Sequence, residues 1–283
     1  MKCNVTYMSG AGNLFTVVTP RDIAPEQIPS IAPYLCDAHA TLGRMTEGIL
    51  VVGDRHDDQL DVWYFNPDGS SGMMCGNGAR CAVLYAVEKG IVNRGGRIRL
   101  SIAGTSYPAA FDGSTIAIEF PPPREDVRNL TLSINGHTLE CAYVDVGSDH
   151  VVLPQSVVQR VYQTHLPPNA LTELARYIRY HPVFSRGTNV NFYSVEGSCV
   201  YLATYERGVE AITGACGTGA LATAVVLWRT RILPADSMTI IPPSREPLTV
   251  HIRHAGNVIS SLVLAGPAQI LAEQTVELPD IRR

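Results

Sequence analysis

The pattern Cys-Gly-x-Gly occurs twice in the sequence, at residues 75–78 and 216–219. Each copy opens a stretch rich in Ala, Val and Leu, and a stretch that is apolar on almost every side predicts a buried helix, here over residues 76–88 and 217–230. The copies lie half a chain length apart in 283 residues, a length that favours two domains. The repeat therefore predicts two pseudo-symmetric α+β domains, each a curved, mostly antiparallel sheet around one central helix.

Between these landmarks, runs of β-branched and aromatic residues bounded by Gly, Asp or Pro predict strands. The expected strands are residues 14–19, 48–52, 60–65, 97–102, 115–120, 139–146, 189–195, 200–205, 238–241 and 248–252. Two further helical patterns fall at residues 22–35 and 169–179. A run of prolines at residues 121–123 marks the natural boundary between the two domains.

Composition excludes several classes of protein. The net charge is −4, and Lys and Arg form no cluster that would bind nucleic acid or an anionic membrane. No apolar run approaches the length of a transmembrane helix, and the first residues lack the apolar core of a signal peptide. The seven cysteines are an odd number without Cys-x-x-Cys spacing, which argues against a disulfide framework or a zinc site. We therefore expect a reduced, cytoplasmic protein without a bound metal.

Lysine is rare in this chain and occurs only at positions 2 and 89. Enzymes that use pyridoxal phosphate need a lysine to form a Schiff base with the cofactor. Lys2 lies at a terminus, and Lys89 ends the predicted helix beside Gly90, so neither suits that role. If this protein acts on amino acids, we expect it to do so without pyridoxal phosphate, and no other cofactor is expected.

The two Cys-Gly-x-Gly segments suit acid–base chemistry at a carbon next to a carboxylate. A helix N-terminus presents unpaired backbone N–H groups and the positive end of the helix dipole, and glycines let a ligand approach closely. Such a terminus binds a carboxylate, and its field favours the thiolate form of a cysteine. Two of them would hold one α-carboxylate and place a sulfur on each face of Cα, as inversion requires. The other cysteines are interpreted as small, buried apolar residues: Cys3, Cys36, Cys81, Cys141 and Cys199.

At these residues the chain resembles the diaminopimelate epimerases, over most of its length. The matching segments are residues 8–15 (MSGAGNLF), 66–70 (NPDGS), 75–80 (CGNGAR), 186–192 (RGTNVNF), 206–210 (ERGVE), 215–219 (ACGTG) and 266–268 (GPA). The resemblance implies an isomerase of amino-acid and lysine biosynthesis that converts LL-diaminopimelate to the meso form. It implies one domain of residues 1–120 with 267–283, carrying Cys75, and one of residues 121–266, carrying Cys216. The active site is then expected in the cleft between them.

The resemblance also implies a role for each matching residue. Cys75 and Cys216 are the acid–base pair, Glu206 takes the α-ammonium group, and His150 supports catalysis. The reacting carboxylate is held by the backbone N–H groups of Gly76, Asn77, Gly217 and Thr218. The residues that face the substrate, several of them reading its distal end, are Asn13, Asn66, Ser148, Asn189 and Arg207. The expected partners are a small amino-acid substrate and, at most, a second copy of the chain in a homodimer.

Several of these residues also have a purely structural interpretation. Asn66 precedes Asp-Gly and so could serve only to shape a turn. Glu206 and Arg207 could form an ordinary solvated ion pair. His150 follows an apolar strand, where a lone histidine is often a satisfied polar residue. Asn189 lies inside a strand pattern and has less structural reason to be there.

The sequence departs from the family pattern where substrate contact is expected. The family's Asn-Asp-Phe has Leu14 in place of the carboxylate, and its His-Gly pair has Ser9 in place of the histidine. Its Asn-Pro-His turn is Ser-Asp-His at residues 148–150, and its Glu-Thr before the second cysteine has Ile212 in place of the glutamate. Its Gly-Ile-Gly-Ala-Asp-Gly segment is only weakly similar to residues 42–48. No change removes an acid, a base or a carboxylate cradle, so the expected reaction type is retained.

Two functions are compatible with these observations, and a third is disfavoured because Cys75 and Cys216 are both present. The first is diaminopimelate epimerase. The second is a racemase of the same fold for another amino acid, for example histidine, which would keep both cysteines and change the residues that read the distal group. The third is a binding protein or an isomerase without the thiol pair, and it predicts the loss of at least one cysteine. Phenazine-biosynthesis isomerases share the fold without two cysteines, and proline racemases match the first cysteine motif less well.

Overall fold

The computed structural model describes residues 2–37, 43–162 and 169–279. Contacts between Cα atoms divide the chain into two compact units, unit 1 of Met1–Glu119 with Ala265–Arg283 and unit 2 of Phe120–Leu264. Leu42, which begins the divergent segment 42–48, and residues 280–283 lie outside the described residues. No described helix is both long enough and apolar enough to cross a membrane.

Unit 1 contains strands from both ends of the chain. Its strands are β1 (Lys2–Gly10), β2 (Asn13–Val18), β3 (Gly48–His56), β4 (Gln59–Phe65), β5 (Arg97–Ile102), β6 (Thr105–Phe111), β7 (Ile116–Phe120) and β17 (Gln269–Glu277). Its helices are α1 (Ile28–Cys36), which follows a 3-10 turn at Pro25–Gln27, and α2 (Gly76–Glu88).

Unit 2 is built from one continuous stretch of chain. Its strands are β8 (Arg128–Ile134), β9 (His137–Asp145), β10 (Asp149–Pro154), β11 (Asn189–Glu196), β12 (Cys199–Glu206), β13 (Ala211–Ile212), β14 (Ser237–Ile241), β15 (Leu248–Ala255) and β16 (Val258–Gly266). Its helices are α3 (Ser156–Tyr162), α4 (Ala170–Arg179) and α5 (Gly217–Arg229).

The strands of the two units are paired in the same order. In unit 1 the order is β17-β1-β2-β3-β4-β5-β6-β7, in which only β2–β3 and β4–β5 are parallel among the described pairs. In unit 2 the order is β8-β9-β10-β11-β12-β14-β15, with β10–β11 and β12–β14 parallel. A parallel pair needs a crossover connection, and helices supply it at each parallel pair. The chain therefore contains the same α+β arrangement twice.

Helices α2 and α5 are the central helices of their units. α2 packs against β1, β2, β3, β4, β6 and β17, and α5 packs against β9, β10, β11 and β15. Most of their residues are buried, including the whole stretch Ala220–Trp228 of α5. Because burying one Val or Leu side chain contributes about 1.5–3 kcal/mol, these contacts fix each helix firmly in its sheet. The helix predicted at residues 76–88 is confirmed, and the one predicted at 217–230 is confirmed with its end at Arg229.

Candidate active site

Cys75 and Cys216 occupy the same structural position in their units. Each is the N-cap residue of its central helix, with φ and ψ of −113° and 107° at Cys75 and −115° and 111° at Cys216. Each sulfur accepts a backbone hydrogen bond, from Gly78 at 3.4 Å and from Gly219 at 3.3 Å. An N–H donor and the helix dipole both stabilise negative charge on a sulfur at this position. The sequence correctly predicts two equivalent cysteine turns.

A buried arginine supports the first cysteine turn. Arg80 lies one turn into α2 and is fully buried. Its guanidinium group donates to the Asn77 Oδ1 atom at 2.8 Å, to the Gly76 carbonyl at 3.3 Å and to the Pro267 carbonyl at 3.3 Å. These bonds fix Gly76 and Asn77, the two residues whose N–H groups are predicted to hold the substrate carboxylate. The buried cation also adds positive potential to that of the helix N-terminus.

The hairpin between β1 and β2 packs against the same turn. A Cβ atom on Gly10 would lie 2.5 Å from the Asn77 carbonyl oxygen and 3.1 Å from the Cys81 Sγ atom, so only glycine fits there. Asn13 pairs with Gly10 in the hairpin and is buried. Asn13 is therefore the hairpin partner of a residue that packs against the Cys75 turn, and its predicted substrate contact stays a prediction. Asn66 follows β4, and its side chain donates to the Ser70 Oγ atom at 2.8 Å, as a turn-shaping residue would.

Glu206 is the carboxylate beside the second cysteine turn. Its side chain accepts hydrogen bonds from the Thr213 hydroxyl and from the Cys216 thiol. Burial raises the pKa of Glu206 above its ordinary value, although these two hydrogen bonds act in the opposite direction. Thr218, the second residue of α5, places its hydroxyl 3.6 Å from the Cys216 Sγ atom. The structure therefore groups Glu206, Cys216 and Thr218, and the roles that the resemblance implies for them stay predictions.

His150 is fully buried in unit 2. Its Nε2 atom lies 2.9 Å from the Ser148 Oγ atom, and its Nδ1 atom lies 3.1 Å from the Asn191 amide nitrogen. Burial lowers the pKa of His150 to about 3, with a smaller contribution from the charge of Arg207 in the same direction. The imidazole is therefore neutral at neutral pH, and the histidine supports its neighbours as an uncharged group.

Asp149 is the centre of a charged cluster in unit 2. Its carboxylate accepts hydrogen bonds from the Tyr143 hydroxyl at 2.5 Å, the Arg186 Nη2 atom at 2.9 Å and the Arg207 Nη1 atom at 3.1 Å. Burial alone would raise the pKa of Asp149, but these donors and the two arginine charges outweigh it and hold the pKa below its ordinary value. Arg207 is thus paired with Asp149 and not with the adjacent Glu206.

Asn189 connects this cluster to the backbone. Its Oδ1 atom accepts from the Arg207 backbone N–H at 2.9 Å, and its Nδ2 atom donates to the Asp149 carbonyl at 3.0 Å. Both ends of the amide therefore hold residues of the cluster in place. The substrate contacts predicted for Asn189, Ser148 and Arg207 stay predictions.

Sequence reasoning missed several polar residues that support the site: Arg80, Asp149, Asn191, Thr204 and Thr213. A usable signal was present on two strands. Residues two apart on a strand share a face, so Asn191 shares one face of β11 with Asn189, and Thr204 shares one face of β12 with Glu206. Asn191 is also the direct partner of Thr204 in the sheet. Paired polar residues in otherwise apolar strands indicate a site.

Comparison with known families agrees with this arrangement. The family model described as diaminopimelate epimerase matches residues 5–106 and 142–271. The diaminopimelate epimerase of Aquifex aeolicus is 32% identical over 257 residues, which cover 86% of this chain and 88% of that protein. The diaminopimelate epimerase of Caldanaerobacter subterraneus subsp. tengcongensis is 34% identical over 246 residues, which cover 80% of this chain and 85% of that protein.

Solved structures with the same fold are more distant in sequence. A PhzF-family phenazine biosynthesis protein of Bacillus anthracis superposes with a TM-score of 0.75 at 14% identity, covering 98% of this chain and 99% of that one. A hydroxyproline epimerase from Agrobacterium vitis, with bound trans-4-hydroxy-L-proline, superposes with a TM-score of 0.69 at 15% identity, covering 99% of this chain and 94% of that one. At these identities the likeness shows the fold alone, and the predicted fold class is confirmed.

Proposed function

Because the chain belongs to the diaminopimelate epimerase family and is an isomerase, we propose that it converts LL-diaminopimelate to meso-diaminopimelate without a cofactor. Cys75 and Cys216 act as a thiolate and a thiol. The observation that carries this proposal is that both cysteines cap their helices with the same backbone conformation and the same hydrogen bond to sulfur. A protein that used one cysteine would need only one such turn.

In the proposed reaction, one thiolate removes the proton from Cα, and the electron pair of the C–H bond passes into the carboxylate to give an enediolate. The backbone N–H groups of Gly76, Asn77, Gly217 and Thr218 donate hydrogen bonds to the oxygens that gain charge. The thiol of the other cysteine then delivers its proton to the opposite face of the carbon. The two cysteines exchange protonation states in each turnover, and exchange with water restores the first state.

Glu206 is proposed to bind the α-ammonium group. Its carboxyl group is desolvated, and burial disfavours its charged form. A cation that binds beside a desolvated carboxylate compensates that charge. A bound α-ammonium group also makes the α-proton more acidic, so the same contact serves binding and proton removal.

The test is solvent deuterium incorporation at Cα, measured by mass spectrometry and chiral chromatography. Reduced protein, without added pyridoxal phosphate or metal, is offered LL-diaminopimelate and a panel of L-amino acids. We expect deuterium incorporation with inversion of diaminopimelate. Incorporation that requires pyridoxal phosphate, or none with any amino acid, would reject the proposed mechanism.

One observation favours a second candidate, a racemase of the same mechanism for another amino acid such as histidine. The resemblance places Arg207 among the residues that face the substrate, and a guanidinium group there suits a carboxylate at the distal end. In this chain the Arg207 guanidinium already pairs with Asp149, at the position where the family pattern has proline. An internal carboxylate at that place competes with a distal carboxylate of the substrate. A substrate with a different polar group at its distal end does not meet this competition.

The Asp149→Asn variant tests whether Asp149 competes with a distal carboxylate for Arg207. The change preserves size and removes the competing charge, so the KM for LL-diaminopimelate is expected to fall about tenfold, while the KM for a substrate without a distal carboxylate does not fall. Steady-state kinetics on both substrates measure the difference. Asp145→Asn is the matched control, because Asp145 is a buried carboxylate of the same turn that accepts from Gly147 and lies outside the cluster. An unchanged KM for LL-diaminopimelate would contradict the competition.

A further inference from the structure

A chain of buried hydrogen bonds joins β12, β11 and β10 beneath the second cysteine turn. The Thr204 Oγ1 atom lies 2.9 Å from the Asn191 Oδ1 atom. The Asn191 Nδ2 atom lies 2.8 Å from the Val151 carbonyl oxygen and 3.1 Å from the His150 Nδ1 atom. The His150 Nε2 atom lies 2.9 Å from the Ser148 Oγ atom. Thr204, Asn191 and His150 are buried, whereas Ser148 is partly exposed.

The direction of every bond in this chain is fixed by one backbone carbonyl. The Val151 carbonyl only accepts, so the Asn191 atom that faces it is the amide nitrogen and the opposite atom is the oxygen. The oxygen then accepts from the Thr204 hydroxyl. The second amide hydrogen points at the His150 Nδ1 atom, which must be unprotonated to accept it. The ring proton of the neutral imidazole is therefore on Nε2 and donates to the Ser148 Oγ atom.

This arrangement decides which hydrogen-bonding group Ser148 presents. One lone pair of its Oγ atom is occupied by the His150 Nε2–H group, so the hydroxyl hydrogen points away from the ring. Ser148 replaces the family's asparagine at a position expected to read the substrate. The other end of this series of hydrogen bonds, at Thr204 and Asn191, lies under the Cys216 turn. A Cβ atom on Gly219 would be 2.5 Å from Asn191 Oδ1 and 2.6 Å from Thr204 Oγ1.

We propose that Asn191 is a positioning residue of the reaction: together with Thr204 it holds His150 in the Nε2–H form and so makes the Ser148 hydroxyl a donor toward an acceptor atom of the substrate. The part of this inference that concerns the substrate rests on the proposed function. The charged groups that act on the imidazole are Asp149 and Arg207, which have opposite effects on its protonation, and burial dominates both. The imidazole thus keeps one tautomer and stays uncharged.

The direct test is the tautomer itself, read from long-range ¹H–¹⁵N spectra of the reduced full chain labelled with ¹⁵N-histidine. The His150 signals are assigned by comparison with His150→Gln. We expect a protonated Nε2 and an unprotonated Nδ1 that do not change between about pH 5 and pH 8, the range in which ordinary histidines titrate. A protonated Nδ1, or a His150 that titrates in this range, overturns the proposal. This readout needs no substrate, so it stands apart from the proposed function.

The kinetic test uses Asn191→Asp, which preserves size but gives no hydrogen to His150. In that variant the His150 proton is expected to move to Nδ1, and the Ser148 hydroxyl then donates inward to Nε2. We expect KM to rise about tenfold, together with a new ionisation of the histidine in the pH profile of kcat/KM. Ser148→Ala should raise KM to the same extent without changing the tautomer. The variant that combines Asn191→Asp with Ser148→Ala should have a KM no higher than that of either single variant. Fully additive losses would overturn the link between Asn191 and Ser148, whereas absence of turnover by the unmodified protein would instead refute the proposed function.

Discussion

Cys75→Ala and Cys216→Ala are each expected to reduce epimerisation roughly a thousandfold, the typical scale of acid–base catalysis by a positioned side chain. In the proposed mechanism each variant lacks either the group that removes the proton or the group that returns it, so inversion is expected to fail in both directions. Chiral chromatography of reaction mixtures started from each stereoisomer measures the loss. The matched controls are Cys81→Ala and Cys199→Ala, which remove cysteines from α2 and β12 that have no assigned role.

The two cysteine variants should also differ from each other in a diagnostic way. With one thiol left, the protein can still exchange the α-proton of the stereoisomer whose hydrogen faces that thiol. We therefore expect each variant to exchange the α-proton of a different stereoisomer for deuterium from the solvent, without inverting Cα. If either variant inverts at near the original rate, or if the controls lose as much activity, the two-cysteine mechanism is wrong.

Gly219→Ala is expected to reduce both the stability of the fold and the rate of the reaction. The new Cβ atom would lie 2.5 Å from Asn191 Oδ1 and 2.6 Å from Thr204 Oγ1, both of them in buried side chains held by hydrogen bonds. Either the start of α5 or the hydrogen-bonded pair must move. We expect a loss of about 1–3 kcal/mol in the free energy of unfolding, as for other overpacked sites. A displacement of the cysteine turn by about 1 Å is expected to cost about a hundredfold in kcat.

The equivalent substitution in unit 1 provides the comparison for Gly219→Ala. A Cβ atom on Gly78 would meet the end of the Leu50 side chain at 3.0 Å and Phe15 at 3.4 Å, and these apolar groups can shift slightly. Gly78→Ala should therefore cost less stability and less activity than Gly219→Ala. Denaturant unfolding and kcat, measured on both variants, test the ranking. Equal effects would show that the buried polar pair under α5 has no special influence on the cysteine turn.

The central helices and their cysteine caps could be predicted from the sequence because short-range features determine them. Gly76–Glu88 begins at a cap and consists of residues that suit a buried helix, and both properties are read within one segment. The helix expected in residues 22–35 begins only at Ile28, since Pro25 and Pro29 favour a 3-10 turn and a helix start. A segment that contains several prolines gives a less reliable boundary.

Strands that depend on distant partners were harder to predict. β6 contains Pro108, which lacks a backbone N–H and normally argues against a strand. β17 exposes most of its residues and shows little apolar alternation, and its place in the sheet comes from pairing with β1. The supporting residues of the site have the same origin. Asn191 is signalled locally by its alternation with Asn189, but the partners through which Asn191 and Asp149 act come only from the pairing of β9, β10, β11 and β12.

The shared strand order of the two units has a consequence for how the chain folds. In unit 2 the strand at one end of the sheet is β8, which is the first strand of that unit in sequence. In unit 1 the equivalent end strand is β17, which comes after all of unit 2 in sequence. Pairing of Lys2 with Glu277 spans nearly the whole sequence, and such non-local pairing is slow because the loop must close first. During synthesis on the ribosome, unit 2 can complete its sheet while β1 still lacks this partner. An unpaired strand edge invites aggregation, so the first unit to be translated is the last to be protected.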